Sequence, residues 1–167
     1  APLLAKLRDG ELDVALLALP YATGDGIETL ELAEDPFSVV YPPGHPVPGK
    51  EVKPGDIEFE NLLLLEDGHC LRDQALAACR LEGARRNAGF QGTSLHTLVQ
   101  MVANGLGITL LPQTALDAGI LRGLPLDVRP LAGRTSARRI GLAWRRMSAR
   151  KQTFRTLGAE IGKVLTG

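Results

Sequence analysis

Short unbroken apolar runs alternate along this 167-residue chain with stretches whose apolar residues recur at helical spacing. Val14 to Leu19 (VALLAL) is a continuous run, the pattern of a strand covered on both faces in a parallel sheet; Leu62 to Leu65 (LLLL) reads as a further strand and Ile108 to Leu111 (ITLL) as a buried one. Ile27 to Ala33 alternates apolar with polar residues, and Phe37 to Tyr41 forms a second extended run. Leu126 to Pro130, Ile140 to Trp144 and a brief Phe90 to Gly92 complete the expected strands. Helical spacing appears in Pro2 to Asp9, with Leu3, Leu4 and Leu7 on one face and Gly10 as its stop. A second helix is expected from about Leu71 to Leu81, closed by Gly83. A third is capped by Thr93 or Ser94 and runs to about Ala103, ahead of Asn104-Gly105. Gln113 to Ala118 reads as a short helix, Ala149 to Val164 as an amphipathic one, and Pro54 to Ile57 as a single turn. Pro42 to Pro46 is a loop by composition. Strands and helices alternating in this order predict an α/β fold with mostly parallel sheets.

Composition narrows the function classes. Aromatics make up only 4% of the chain, so the core is expected from Leu, Val, Ile and Ala. Nineteen basic residues balance nineteen acidic ones, which gives this chain no basic excess with which to grip nucleic acid. No apolar run approaches the roughly 18 residues of a membrane span, and no signal-peptide pattern opens the chain. A cytoplasmic location is therefore expected, where resting cysteines are reduced and any disulfide is transient. No C-x-x-C, H-E-x-x-H or carboxylate cluster suggests a metal. Gly105-Leu106-Gly107 precedes a strand, the wrong context for a dinucleotide loop, so no cofactor is expected.

The candidate chemistry lies in Gly68-His69-Cys70-Leu71-Arg72-Asp73-Gln74, followed nine residues on by Cys79, the second of only two cysteines. Cys70 falls where a strand-like run gives way to a helix. The first N–H groups of a helix lack intrahelical partners and its dipole is positive there, so thiolate, the nucleophilic form, is favoured, and Arg72 favours it further. On one continuous helix, nine steps of about 1.5 Å separate the two Cα atoms by roughly 13 Å, with side chains on nearly opposite faces. A disulfide needs about 4.4–6.8 Å. The pair can bond only if that helix is remodelled. Buried free cysteines are also ordinary core residues, so the pattern admits a redox switch without requiring one.

Three segments, LLLLEDGHCLRDQALAACRLEG, GFQGTSLHTLVQMVANGLGITLLP and RRIGLAWR, resemble the regulatory domain of LysR-type transcriptional regulators, and LLAKLRDGELDVALLAL resembles that family's opening helix and strand. The GHCLRDQ motif with a second cysteine nine residues later is similar to the hydrogen-peroxide sensors within the family. The resemblance covers essentially the whole chain. It implies a fold like a type 2 periplasmic-binding protein, two α/β lobes joined by two crossover strands. The first lobe would comprise about 1–35 with 134–167 and the second, carrying both cysteines, 36–133.

It also implies roles. Cys70 falls on the peroxide-reactive cysteine and Cys79 on the resolving one, with a Cys70–Cys79 disulfide as the signal. His69, Arg72, Asp73 and Gln74 flank the reactive sulfur, and Arg138 (or Arg139) falls where the family places a further pocket arginine. Partners implied are hydrogen peroxide, a homodimer that becomes a tetramer in the full-length protein, and a thioredoxin- or glutaredoxin-type reductant. Promoter DNA would be bound only through an N-terminal winged helix-turn-helix, expected outside this chain together with a linker helix and the first strand of the first lobe. That strand brings threonines which complete the peroxide pocket. Each flanking residue has a plainer reading: His69 as a loop histidine bonded to backbone, Arg72 as a surface partner of Asp73 or Glu66, Asp73 as a complement to the helix dipole, Gln74 as an ordinary helix residue. Two other function classes stand beside the sensor. One is a LysR-type domain that binds a small effector in the interlobe cleft; the other is a thiol peroxidase, though no P-x-x-x-T-x-x-C motif is present.

Overall fold

The computed structural model describes residues 2–19, 24–47, 49–57, 61–67, 69–79, 91–133 and 136–166. In chain order its elements are α1 (Pro2–Asp9), β1 (Val14–Leu19), β2 (Ile27–Tyr41), β3 (Leu62–Leu65), α2 (Cys70–Ala78), β4 (Gln91–Gly92), α3 (Leu95–Ala103), β5 (Ile108–Pro112), α4 (Gln113–Asp117), β6 (Asp127–Pro130), β7 (Ala137–Arg145) and α5 (Lys151–Thr166). A single 3-10 turn occupies Pro54–Asp56. The chain forms two compact units, Ala1–Asp35 with Arg139–Gly167, and Pro36–Arg138. Both junctions fall inside strands, β2 and β7. The second lies at 138/139, a few residues beyond the expected crossing at Arg134.

In the first unit β1 pairs antiparallel with β7, from Val14 opposite Trp144 to Leu19 opposite Arg139. β7 in turn lies between β1 and β2. Leu4 and Leu7 of α1 pack with Ala15, Ile27 and Ala143. Phe154 of α5 packs with Leu142 and Trp144, flanked by Leu30 and Leu32. Helices therefore bury their apolar stripes against two different sets of strand residues.

The second unit is built around β3. All four of its leucines are buried, and they divide by parity. Leu62 and Leu64 join Val39, Ile108 and Leu110 against Ala75, Leu76, Ala78 and Cys79 at α2, while Leu63 and Leu65 pack on Leu98, Val99 and Val102 of α3. Successive strand side chains point to opposite faces, so a continuous apolar run is what a strand between two helical layers requires. The start of β5 is fixed by Gly107, at φ +157°, where an added Cβ would collide with the Asn61 carbonyl.

Four sequence expectations change. Ile27 to Ala33 and Phe37 to Tyr41 are one 15-residue strand, because the ring-fixed φ of Pro36 suits extended backbone and Phe37 N–H donates to Ser136 O at 2.8 Å. The sheets are mixed rather than mostly parallel: β2 pairs antiparallel with β5 and β6, and parallel pairing is found between β3 and β5 and between β3 and β4. β1 is not covered on both faces, since Leu16 is 49% exposed. An apolar run records composition, not strand direction or which neighbours arrive from distant sequence. The second helix runs from Cys70 to Ala78 and Cys79 is its C-cap, so the helix ends short of the expected Leu81 and Cys79 stands at its end, not deep inside it; Gly83 and the start of the brief strand at Phe90 lie outside the described residues. No helix among the described residues is long and apolar enough to cross a membrane.

Candidate functional site

Strand β3 delivers the chain to the site. After Leu65 a turn closes with His69 N–H donating to Glu66 O at 3.4 Å, and α2 begins. His69 takes the cap position, in extended conformation at φ −81° and ψ 117°, and its side chain makes no cap hydrogen bond. Cys70 is consequently the first residue of the helix, exposed, with a free thiol. It sits among first-turn N–H groups that the helix itself does not satisfy, at the positive end of the helix dipole. Exposed Asp73 stands in the same turn.

Arg72 is the anchor of this turn. Its side chain is only 2% exposed. Nε meets Asp67 Oδ1 at 3.0 Å and Nη1 donates to Leu65 O at 3.0 Å. The surface pairing with Asp73 or Glu66 is thus replaced by a buried reach back across the turn to the end of β3. A residue that begins a helix just after a strand can span that short distance, and the guanidinium fork suits two acceptors at once. Gln74 is half-buried, and its Oε1 has no hydrogen-bond partner among the described residues.

Cys79 caps the other end of α2. It is 3% exposed and lies in the apolar cluster with Leu62, Leu64 and Leu76. Burial pushes its thiol up to about 12, so it is protonated at neutral pH. Both cysteines are free. With α2 intact between them, the helical rise separates their Cα atoms by roughly 13 Å, well beyond disulfide reach.

The two candidate arginines of β7 part company. Arg138 is half-buried and donates through Nη2 to Thr114 Oγ1 of α4 at 3.4 Å, within the unit that carries the cysteines. Arg139 belongs to the other unit and pairs with Glu31 at 3.0 Å. Strand alternation turns neighbours to opposite faces. Ser94 accepts from Thr97 N–H at 3.1 Å and so caps α3, deciding between the two candidate caps. Exposed His45 stacks on Tyr41 with ring centroids 5.0 Å apart, and His96 is exposed on α3. Among the described residues no group of three His, Cys, Asp or Glu is arranged to hold a metal. Sequence reasoning missed Asp67, Leu65 O and Thr109. The last is the one polar residue inside the ITLL run, a visible signal, whereas a backbone acceptor leaves no trace in residue identity.

Residues 1–166 match the model of the LysR substrate binding domain. The chain is 42% identical over 166 residues to a probable hydrogen peroxide-inducible genes activator of Mycobacterium avium, spanning 98% of this chain and 53% of that protein. It is 39% identical over 170 residues to the DNA-binding transcriptional dual regulator OxyR of Escherichia coli, spanning 99% and 54%. The chain thus spans about half the length of these curated relatives. Among solved structures, the reduced regulatory domain of OxyR2 from Vibrio vulnificus matches with TM-score 0.84 and 43% identity, over 97% of this chain and 76% of that one. The reduced OxyR regulatory domain from Pseudomonas aeruginosa matches with TM-score 0.79 and 33% identity, over 96% and 77%. A two-unit α/β fold with mixed sheets and a family match along nearly its whole length place this chain in one group: it belongs to the LysR substrate-binding domain family, among the regulatory domains of the OxyR type.

Proposed function

We propose that this chain is the peroxide-sensing regulatory domain of a LysR-type transcription regulator. The observation that carries the reading is the placement of its two thiols, one exposed at the first residue of α2 and the other buried at the cap of the same helix. Cys70 thiolate attacks hydrogen peroxide, the O–O bond breaks, one oxygen stays on sulfur as sulfenic acid, and the other leaves as water after taking up a proton. The Cys79 thiol then attacks the sulfenic sulfur, its proton and the hydroxyl leave as a second water, and the disulfide closes. Two thiols have lost two electrons to one peroxide. A dithiol reductant of the thioredoxin or glutaredoxin type reverses the step by exchange.

In this reading His69 and Gln74 hold peroxide or water beside the sulfur, Arg72 fixes the first turn, Asp73 and the helix dipole set its field, and Arg138 supplies the more distant positive charge. The bond forms in only one arrangement of α2, so oxidation selects that arrangement. In a full-length, cytoplasmic regulator the change would be passed through a dimer or tetramer to promoter-bound heads. The test is mass spectrometry of the reduced chain after one equivalent of hydrogen peroxide, with free thiols alkylated before digestion. The expected product is an intramolecular Cys70–Cys79 disulfide, absent in Cys70→Ser. Two thiols that stay free in the folded chain, and again in a protein extended through the first strand of the first lobe, would sink the proposal. Rapid catalytic consumption of peroxide in the presence of added thioredoxin would instead mark a thiol peroxidase.

A further inference from the structure

A buried guanidinium N–H without an acceptor is costly, because a charged donor has lost its hydration and gained nothing in return. Arg72 carries such a group. Nε and Nη1 are occupied by Asp67 and Leu65, but Nη2 is buried and meets no acceptor among the described residues. Beside this side chain lies a void of about 10 Å³ between α2, α3, β3 and β5, with Leu63, Leu65, Leu71, Leu98 and Thr109 in its wall. Thr109 and Arg72 bring the polar side chains to that wall. Thr109 is 1% exposed, and its hydroxyl donates to Leu63 O at 2.9 Å, which leaves its own lone pairs open. An open donor and an open acceptor therefore border one small space.

The size selects the occupant. About 10–15 Å³ is what one water requires, and a buried water needs at least two polar partners. A cation is repelled by the guanidinium, and an anion would face a wall that, apart from Thr109, is otherwise aliphatic. We infer that the void holds a single structural water that accepts from Arg72 Nη2 and donates to Thr109 Oγ1, pinning the first turn of α2 to the β3–β5 pair. This site concerns the reduced protein at rest and does not depend on the reactivity of Cys70.

The experiment is an atomic-resolution crystal structure of the reduced chain, repeated on Thr109→Val. The expected result is a fully occupied water peak within about 3.2 Å of both Arg72 Nη2 and Thr109 Oγ1, reduced at least twofold or lost in the variant. An empty void, an Nη2 that turns to a protein acceptor, or a peak unchanged in Thr109→Val would overturn the assignment. Where the valine variant fails to fold, water magnetic relaxation dispersion on the parent chain and on Arg72→Met supplies the second measurement. One fewer long-lived water in Arg72→Met supports the site, and an equal count removes it.

Discussion

Arg72 and Cys79 are buried near the two ends of α2, one as a charge and the other as a neutral group. Arg72 is a charge kept buried by its acceptors at the end of β3. Truncation leaves the Leu65 carbonyl without its partner and removes the packed stem, so Arg72→Ala is expected to cost about 2–4 kcal/mol in urea unfolding of the reduced protein. An unchanged midpoint would mean that solvent replaces both contacts freely. Cys79 is a neutral group held neutral by its surroundings. Its folded value near 12 lies above the ordinary 9.0, so the folded state keeps a proton that the unfolded state loses. The stability linked to this thiol is complete below about pH 9 and declines as pH rises toward 12. The slope from this group approaches about 1.4 kcal/mol per pH unit, and the Cys79→Ala chain should show a shallower alkaline decline than the parent. Reactivity should follow the same division: iodoacetamide modifies exposed Cys70 in the native reduced protein and reaches Cys79 only in denaturant, as peptide mass would show.

Elements were legible in the sequence to the extent that one residue's chemistry decides them. The Thr93-Ser94 pair ahead of an apolar helical stripe announces α3, and the structure gives the cap to Ser94, which accepts from Thr97 N–H. Ser94→Ala is expected to lose about 1 kcal/mol, and Ser94→Gly only a few tenths, by thermal unfolding. The LLLL run likewise reads as a strand, while its place between two helical layers comes from the structure. Pairing direction was not legible, because β7 reaches β1 from more than a hundred residues away and no local pattern records that. The site divides in the same way. Cys70 at a helix start and Cys79 within the same helical pattern could be read from spacing, while the burial of Arg72 depends on a backbone carbonyl. Helix α5 adds an electrostatic tie of its own: Glu28 of β2 pairs with Arg155 at 2.8 Å and Lys151 at 3.6 Å. The Arg155 hydrogen bond is the main cause that holds the Glu28 carboxyl below its ordinary 4.5. Its contribution is present above that value and is lost as pH falls through the lowered one, so Glu28→Gln should flatten part of the acid limb of a stability–pH curve.

At the scale of the whole molecule, each of the two units puts helices against strands, and the chain passes between the units inside β2 and β7. The charge balance of nineteen against nineteen bears on what this chain does alone. Without a basic excess it should show no salt-sensitive affinity for duplex DNA, measured by fluorescence anisotropy between low and moderate ionic strength. Tight binding that weakens steeply with salt would require a basic face that the overall balance conceals.

In the proposed sensor the burial of Cys79 also sets a clock. Oxidation of an exposed Cys70 is a collision with peroxide, so its rate rises in proportion to dose. Ring closure waits for the helix to release a thiol from the core, an event whose frequency does not know the peroxide concentration. Stopped-flow traces should therefore show disulfide formation that climbs and then levels off as peroxide increases. Beyond the plateau the sulfenic acid meets a second peroxide before Cys79 arrives and is diverted to sulfinic acid. Under that proposal, the depth at which one sulfur is packed fixes the highest dose that can be registered reversibly.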